Sequence, residues 1–147
     1  MKFTLVLLAV FVPTILGNCR HCGCSIKTEE AILKKTGGLT SWSKNICSSG
    51  RKTFLGKLFG HISCEKAGDD CPGHCEGVAK SKSSNHQDLD TMCSTLKMMV
   101  NPGEGLELFY HSQVACGAAS EKHSSLGAKL CCVRAGGRWI GYTKGCF

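Results

Sequence analysis

Gly105-Leu106-Glu107-Leu108-Phe109-Tyr110-His111 is the clearest patterned stretch in the chain. Leu106, Leu108 and Tyr110 fall at every second position, with Glu107, Phe109 and His111 between them. Successive side chains of a strand point to opposite faces, so this alternation predicts a strand with one apolar side. Downstream, residues 128–133 and 138–143 predict two further short strands. Ala135-Gly136-Gly137 between them supplies the glycines that a tight hairpin turn uses. Upstream, Leu89, Met92, Cys93, Leu96, Met99 and Val100 recur at three- and four-residue intervals, which predicts a helix over about residues 88–100. Asn101-Pro102-Gly103 then stops it. The second half of the chain therefore reads as one helix and a small antiparallel sheet.

The first half is harder to pattern. Thr28 can cap a short helix over residues 29–35, with Glu29 and Glu30 in its first turn and Lys34 and Lys35 in its last, as the helix dipole favours. Gly37-Gly38 ends it. A second candidate helix, residues 53–62, puts Phe54, Leu55, Leu58, Phe59 and Ile62 on one face, weakened by Gly56 and Gly60. Residues 18–25 read as too short for regular structure and 39–53 as polar and turn-rich. Residues 65–86 read as an exposed loop, because Asp69-Asp70-Cys71-Pro72-Gly73 and the polar run from Lys80 to Asn85 interrupt any period. The expected fold is a small disulfide-rich α+β domain with two to three short helices and a small C-terminal antiparallel sheet.

The beginning of the chain places the rest. Met1-Lys2 is followed by Phe3 to Leu16, apolar apart from Thr4 and Thr14, then Gly17. Charge, apolar run and small terminal residue make residues 1–17 a secretory signal peptide. The apolar run is shorter than the ~20 residues that cross a bilayer, and no later stretch is apolar for long enough. Residues 18–147 are then a single disulfide-rich domain, secreted and extracellular, with no transmembrane segment.

That domain holds all 12 cysteines of the 147-residue chain: Cys19, Cys22, Cys24, Cys47, Cys64, Cys71, Cys75, Cys93, Cys116, Cys131, Cys132 and Cys146. An even count in a secreted chain predicts a disulfide framework, whose pairing cannot be read from spacing. The adjacent Cys131 and Cys132 are expected to have different partners. Cys19-Arg20-His21-Cys22 and Cys71-Pro72-Gly73-His74-Cys75 also carry zinc-like spacings. Bridges would consume those thiolates, so neither a metal nor a cofactor is expected.

The formal charge is +7, from 18 Lys+Arg against 11 Asp+Glu. Lys27, Lys34, Lys35, Lys44, Arg51, Lys52 and Lys57 crowd the first part of the chain, opposed by Glu29 and Glu30. Such a field favours anionic membrane surfaces, glycans or an acidic extracellular protein. Nucleic acid is not expected, because no aromatic–basic interleaving accompanies the charge. The sharpest candidate site is the segment 51–59. There Arg51, Lys52 and Lys57 would capture an anionic surface, and Phe54, Leu55, Leu58 and Phe59 would enter the headgroup layer. Gly50-Arg51-Lys52 is also a possible processing site.

Catalytic patterns are weak. His21, His61, His74, His86, His111 and His123 are scattered, and no serine sits in a Gly-x-Ser-x-Gly turn. Asp69-Asp70-Cys71-Pro72-Gly73 resembles a fragment of whey-acidic-protein inhibitor domains. The resemblance covers five residues, and the double cysteine follows about sixty residues later instead of within a few, so no family is assigned. The expected function is that of a cationic, cysteine-rich, non-enzymatic binding protein of defence type, antimicrobial or toxin-like. The alternative is a structural or signalling extracellular protein (matrix, egg-coat or ligand-like). A protease inhibitor, with residues 80–87 as its loop, comes third.

Overall fold

The computed structural model describes residues 19–47, 64–115 and 120–146. In chain order the elements are β1 (Cys19–Thr28), α1 (Glu29–Leu33), β2 (Thr40–Cys47), α2 (Cys64–Lys82), α3 (His86–Leu96), β3 (Leu106–Val114), β4 (Ser120–Ala135) and β5 (Arg138–Tyr142). The strands form one curled antiparallel sheet in the order β2-β1-β3-β4-β5. The sheet dominates. It is not confined to the C-terminal half, which corrects the expected balance of helix and strand.

β1 is the largest correction, because the stretch read as irregular forms a strand paired on both sides. Cys22, Cys24 and Ile26 are buried at every second position. Half-cystines behave as small apolar groups, so this is an alternating strand pattern written in cysteine. β2, also read as irregular, pairs along β1 from Cys19↔Cys47 to Ile26↔Thr40. As an edge strand it exposes Ser43, Lys44 and Asn45, and a lysine there discourages pairing with a further chain.

α2 replaces the expected loop. Ala67, Cys71, Cys75 and Ala79 are buried and fall four residues apart, so they line one face of the helix. Two disulfides, Cys22–Cys71 and Cys24–Cys75, bind that face to β1. The spacings match. Residues i and i+2 of a strand are about 6.7 Å apart, and residues i and i+4 of a helix are about 6 Å apart along its axis. Cys-x-Cys and Cys-x-x-x-Cys can therefore be joined rung by rung where strand and helix run alongside each other. This anchoring explains why the helix continues through Pro72, which removes one backbone donor. Lys66–Asp70 (3.2 Å) and Glu76–Lys80 (2.6 Å) pair along its exposed side, each contributing a few tenths of a kcal/mol.

The second half keeps more of its expected form. Asn85 caps α3, accepting from the backbone N–H of Gln87 at 2.9 Å and of Asp88 at 3.2 Å. Leu89, Met92 and Cys93 are its buried residues. The helix ends at Leu96 and not near Val100, because Lys97 adopts a left-handed conformation (φ 54°). Val100 instead pairs with Cys132. α1 is shorter than expected, ending at Leu33 before its two glycines, with Thr28 as its cap. Gly38 has a packing role: a Cβ there would lie 2.8 Å from the Ile26 carbonyl oxygen and 2.9 Å from Ser25 Cβ.

β3 buries Leu108, Tyr110, Ser112 and Val114, as its alternation requires. β4 is much longer than expected. Its first part pairs with β3 as far as Leu130, and from Cys131 it pairs with β5. Gly136 (φ 57°) and Gly137 (φ 79°) form the two-residue turn into β5, as both central positions of a type I′ hairpin demand. Gly141 lets α3 approach, since a Cβ there would sit 2.3 Å from the Leu89 carbonyl oxygen. Its N–H donates to Asp90 Oδ1 at 2.8 Å. The core lies between the sheet and the two longer helices, with Ile26, Met92, Leu108 and Leu130 its largest fully buried side chains.

Candidate functional site

α2 and α3 cover one face of the sheet, and strand alternation identifies the residues of the other. On β1 the residues that alternate with the buried Cys22, Cys24 and Ile26 are Gly23, Ser25 and Lys27. Register places Ser25 opposite His111 and His111 opposite His123, so these three form one row across β1, β3 and β4. The next row is Gly23, Gln113 and Glu121. The small side chains of Gly23 and Ser25 leave a hollow between β2 and β3. It is an open groove of about 500 Å³, with His21, Lys27, Ser41 and His111 among its lining. A second hollow of about 310 Å³ shares Lys27, His111 and Gln113 and adds Lys35, Glu121 and His123.

Charge on this face is mostly positive. Lys27 and Lys35 bring two cations, and Glu121 is the carboxylate lining the second hollow. His111 has its side chain only 14% exposed, and its Nε2 lies 3.6 Å from Glu121 Oε2. Burial lowers its pKa below the ordinary histidine value, and the neighbouring charge of Lys27 lowers it further. Glu121 pulls the other way without reversing the shift. His111 is therefore mainly neutral at pH 7, with a lone pair available to a ligand.

The expected capture segment, Arg51, Lys52, Phe54, Leu55, Lys57, Leu58 and Phe59, lies outside the described residues. Among the described residues, eight cysteines form four bridges: the two on β1, Cys93–Cys132 and Cys131–Cys146. The adjacent Cys131 and Cys132 do take different partners. Cys19 and Cys47 stand opposite each other in the β1–β2 register, and Cys64 opens α2. Cys116 lies outside the described residues. Three of the four cysteines in the zinc-like spacings, Cys22, Cys71 and Cys75, belong to the disulfide pair on β1; Cys22, Cys24 and Cys75 cluster there, but each is bonded to another sulfur. A bonded sulfur is not the thiolate that binds zinc.

The expected inhibitory loop is also corrected. Lys80 and Lys82 belong to the last turn of α2, and His86 begins α3. Lys82 pairs with Asp88 at 2.9 Å and lies 5.8 Å from the centre of the Trp42 ring. These residues form a tight corner and not a projecting loop.

No family model matches the chain, and neither a curated protein nor a solved structure matches it. Its class rests on its own features. It is a small, disulfide-rich protein of extracellular type, and among the described residues no helix is long and apolar enough to cross a membrane.

Proposed function

We propose that the protein is a secreted, non-enzymatic binding protein of defence type that acts on anionic surfaces. The observation that carries this reading is the convergence of Lys27 and Lys35 on grooves of a sheet face held by disulfides from behind. Cations fixed on a rigid surface lose little freedom when an anion binds, so less of the binding energy is spent on ordering them. Arg51, Lys52 and Lys57 add charge in the same part of the chain, next to four large apolar residues suited to a headgroup layer.

The test is binding of the oxidised protein to phosphatidylglycerol vesicles against phosphatidylcholine vesicles. Binding to the anionic set is expected. It should fall steeply between about 0.1 M and 1 M salt, as the screening length drops from about 10 to 3 Å. Lys27→Ala with Lys35→Ala, and separately Arg51→Ala with Lys52→Ala, are expected to weaken it. Equal binding to both lipids, or none to either, together with no effect on bacterial or animal cells, would remove the proposal.

A further inference from the structure

We propose that His111, His123 and Glu121 form a binding site for a divalent transition-metal ion of the zinc type on the outer face of the sheet. His111 and His123 are direct partners on adjacent antiparallel strands. Such partners project from the same face with Cβ atoms about 5 Å apart, a separation from which two imidazoles can reach one ion. Glu121 precedes His123 by two residues and so shares that face.

Distance supplies the second step. His111 Nε2 and Glu121 Oε2 are 3.6 Å apart, longer than a good hydrogen bond. Two donors each about 2.1 Å from a tetrahedral zinc ion are about 3.4 Å from one another. The pair is therefore already close to metal-sharing separation. His123 is exposed on the neighbouring strand and completes the set by side-chain rotation. Two imidazoles and one carboxylate form a ligand set that zinc accepts, leaving the fourth position open to water or an anion.

The surroundings set the strength and the pH range. Lys27 on β1 and Lys35 beyond α1 face the same hollow and oppose a cation, whereas Glu121 favours it. The two lysines are thus expected to hold the affinity below that of a site without them. Protons compete for both imidazoles, so binding should weaken as pH falls below the histidine range.

This site does not depend on the vesicle-binding reading, and its test uses no lipid. Oxidised protein, shown free of thiols, is titrated with Zn²⁺ by calorimetry at pH 7.4 and at pH 5. One equivalent is expected at pH 7.4 and none at pH 5. His123→Gln and His111→Gln should each weaken binding about tenfold or more, while His86→Gln, on α3, should leave it unchanged. His123 is exposed, so its variant remains informative even if the His111 variant does not fold. Absence of binding at pH 7.4, or binding that survives His123→Gln, would overturn the site.

Discussion

The two halves of this protein solve the same packing problem by different means. In the second half, α3, β3 and β4 bury Leu89, Met92, Leu108, Tyr110 and Leu130. In the first half, the facing surfaces of α2 and β1 bury Ala67, Cys71, Cys75 and Ala79 against Cys22, Cys24 and Ile26. Ile26 is the one large aliphatic side chain in that set. Buried apolar area stabilises by roughly 25 cal/mol per Å², and small side chains offer little of it. The first half draws instead on two covalent links, whose sulfurs also pack together, with Cys22 and Cys75 Sγ 3.6 Å apart. The lesson is that cysteine serves here both as the apolar residue of the pattern and as the bond that fixes it.

The largest expected effect tests that division. The bridges on β1 span sequence separations of 49 and 51 residues. Loop-closure entropy assigns about 4 kcal/mol to the first bridge formed across such a span. Once it exists, the second closes only a short ring and adds about 2 kcal/mol. Removing either bridge by paired Cys→Ala changes should thus cost about 2 kcal/mol, and removing both about 6. A denaturant double-mutant cycle measures this. Strict additivity would mean that the bridges act independently and that the rung-by-rung account is wrong.

Leu108→Ala is the matching change in the second half. Leu108 is fully buried in the core. Truncating such a residue costs about 2–5 kcal/mol through lost transfer energy and the cavity left behind. The destabilisation should appear with all four described disulfides intact, as a lower denaturant midpoint. No shift would mean that this half also leans on its bridges, Cys93–Cys132 and Cys131–Cys146.

The same contrast decides what could be read from the sequence. β3, the glycine hairpin and the buried face of α3 were legible because leucine and methionine mark the period. β1 was not, because Cys22, Cys24 and Ile26 show their alternation only when cysteine counts as apolar. α2 was hidden twice, by its Ala and Cys face and by Pro72-Gly73, whose local preference against helix is overridden by the bridges at Cys71 and Cys75. The end of α3 was missed because Met99 and Val100 keep the helical spacing after Lys97 has turned the chain. Part of the outer-face site was visible as basic charge at Lys27 and Lys35. The row from Ser25 through His111 to His123 needs the strand register, and the first part of β4 is polar throughout residues 120–125, so no alternation announces it.

A smaller effect concerns the start of α3. Asn85 caps α3 through two backbone donors, and loss of such a cap costs about 1 kcal/mol. Asn85→Ala should lower stability by that amount, measured by chemical denaturation, and Asn85→Asp should largely restore it. An equal loss in Asn85→Asp would show that the side chain acts through the corner between α2 and α3 and not as a cap.

The smallest effect tests whether the outer face of the sheet is coupled to folding at all. His111 has a folded-state pKa below its ordinary value of 6.5, because burial and the charge of Lys27 disfavour the imidazolium. The unfolded chain then binds the proton more readily than the folded one. Its contribution to stability is fully present above about pH 6.5 and is lost as pH falls through the lowered folded value. Glu121 and His123, which face His111 from β4, soften and deepen this loss respectively. With a chelator present, so that protons alone are read, stability should decline on acidification from pH 7 toward pH 5. His111→Gln should flatten that decline. An unchanged slope in the variant would place the acid sensitivity elsewhere, with His74 on α2 the next group to test, since burial and Lys44 lower its pKa in the same direction.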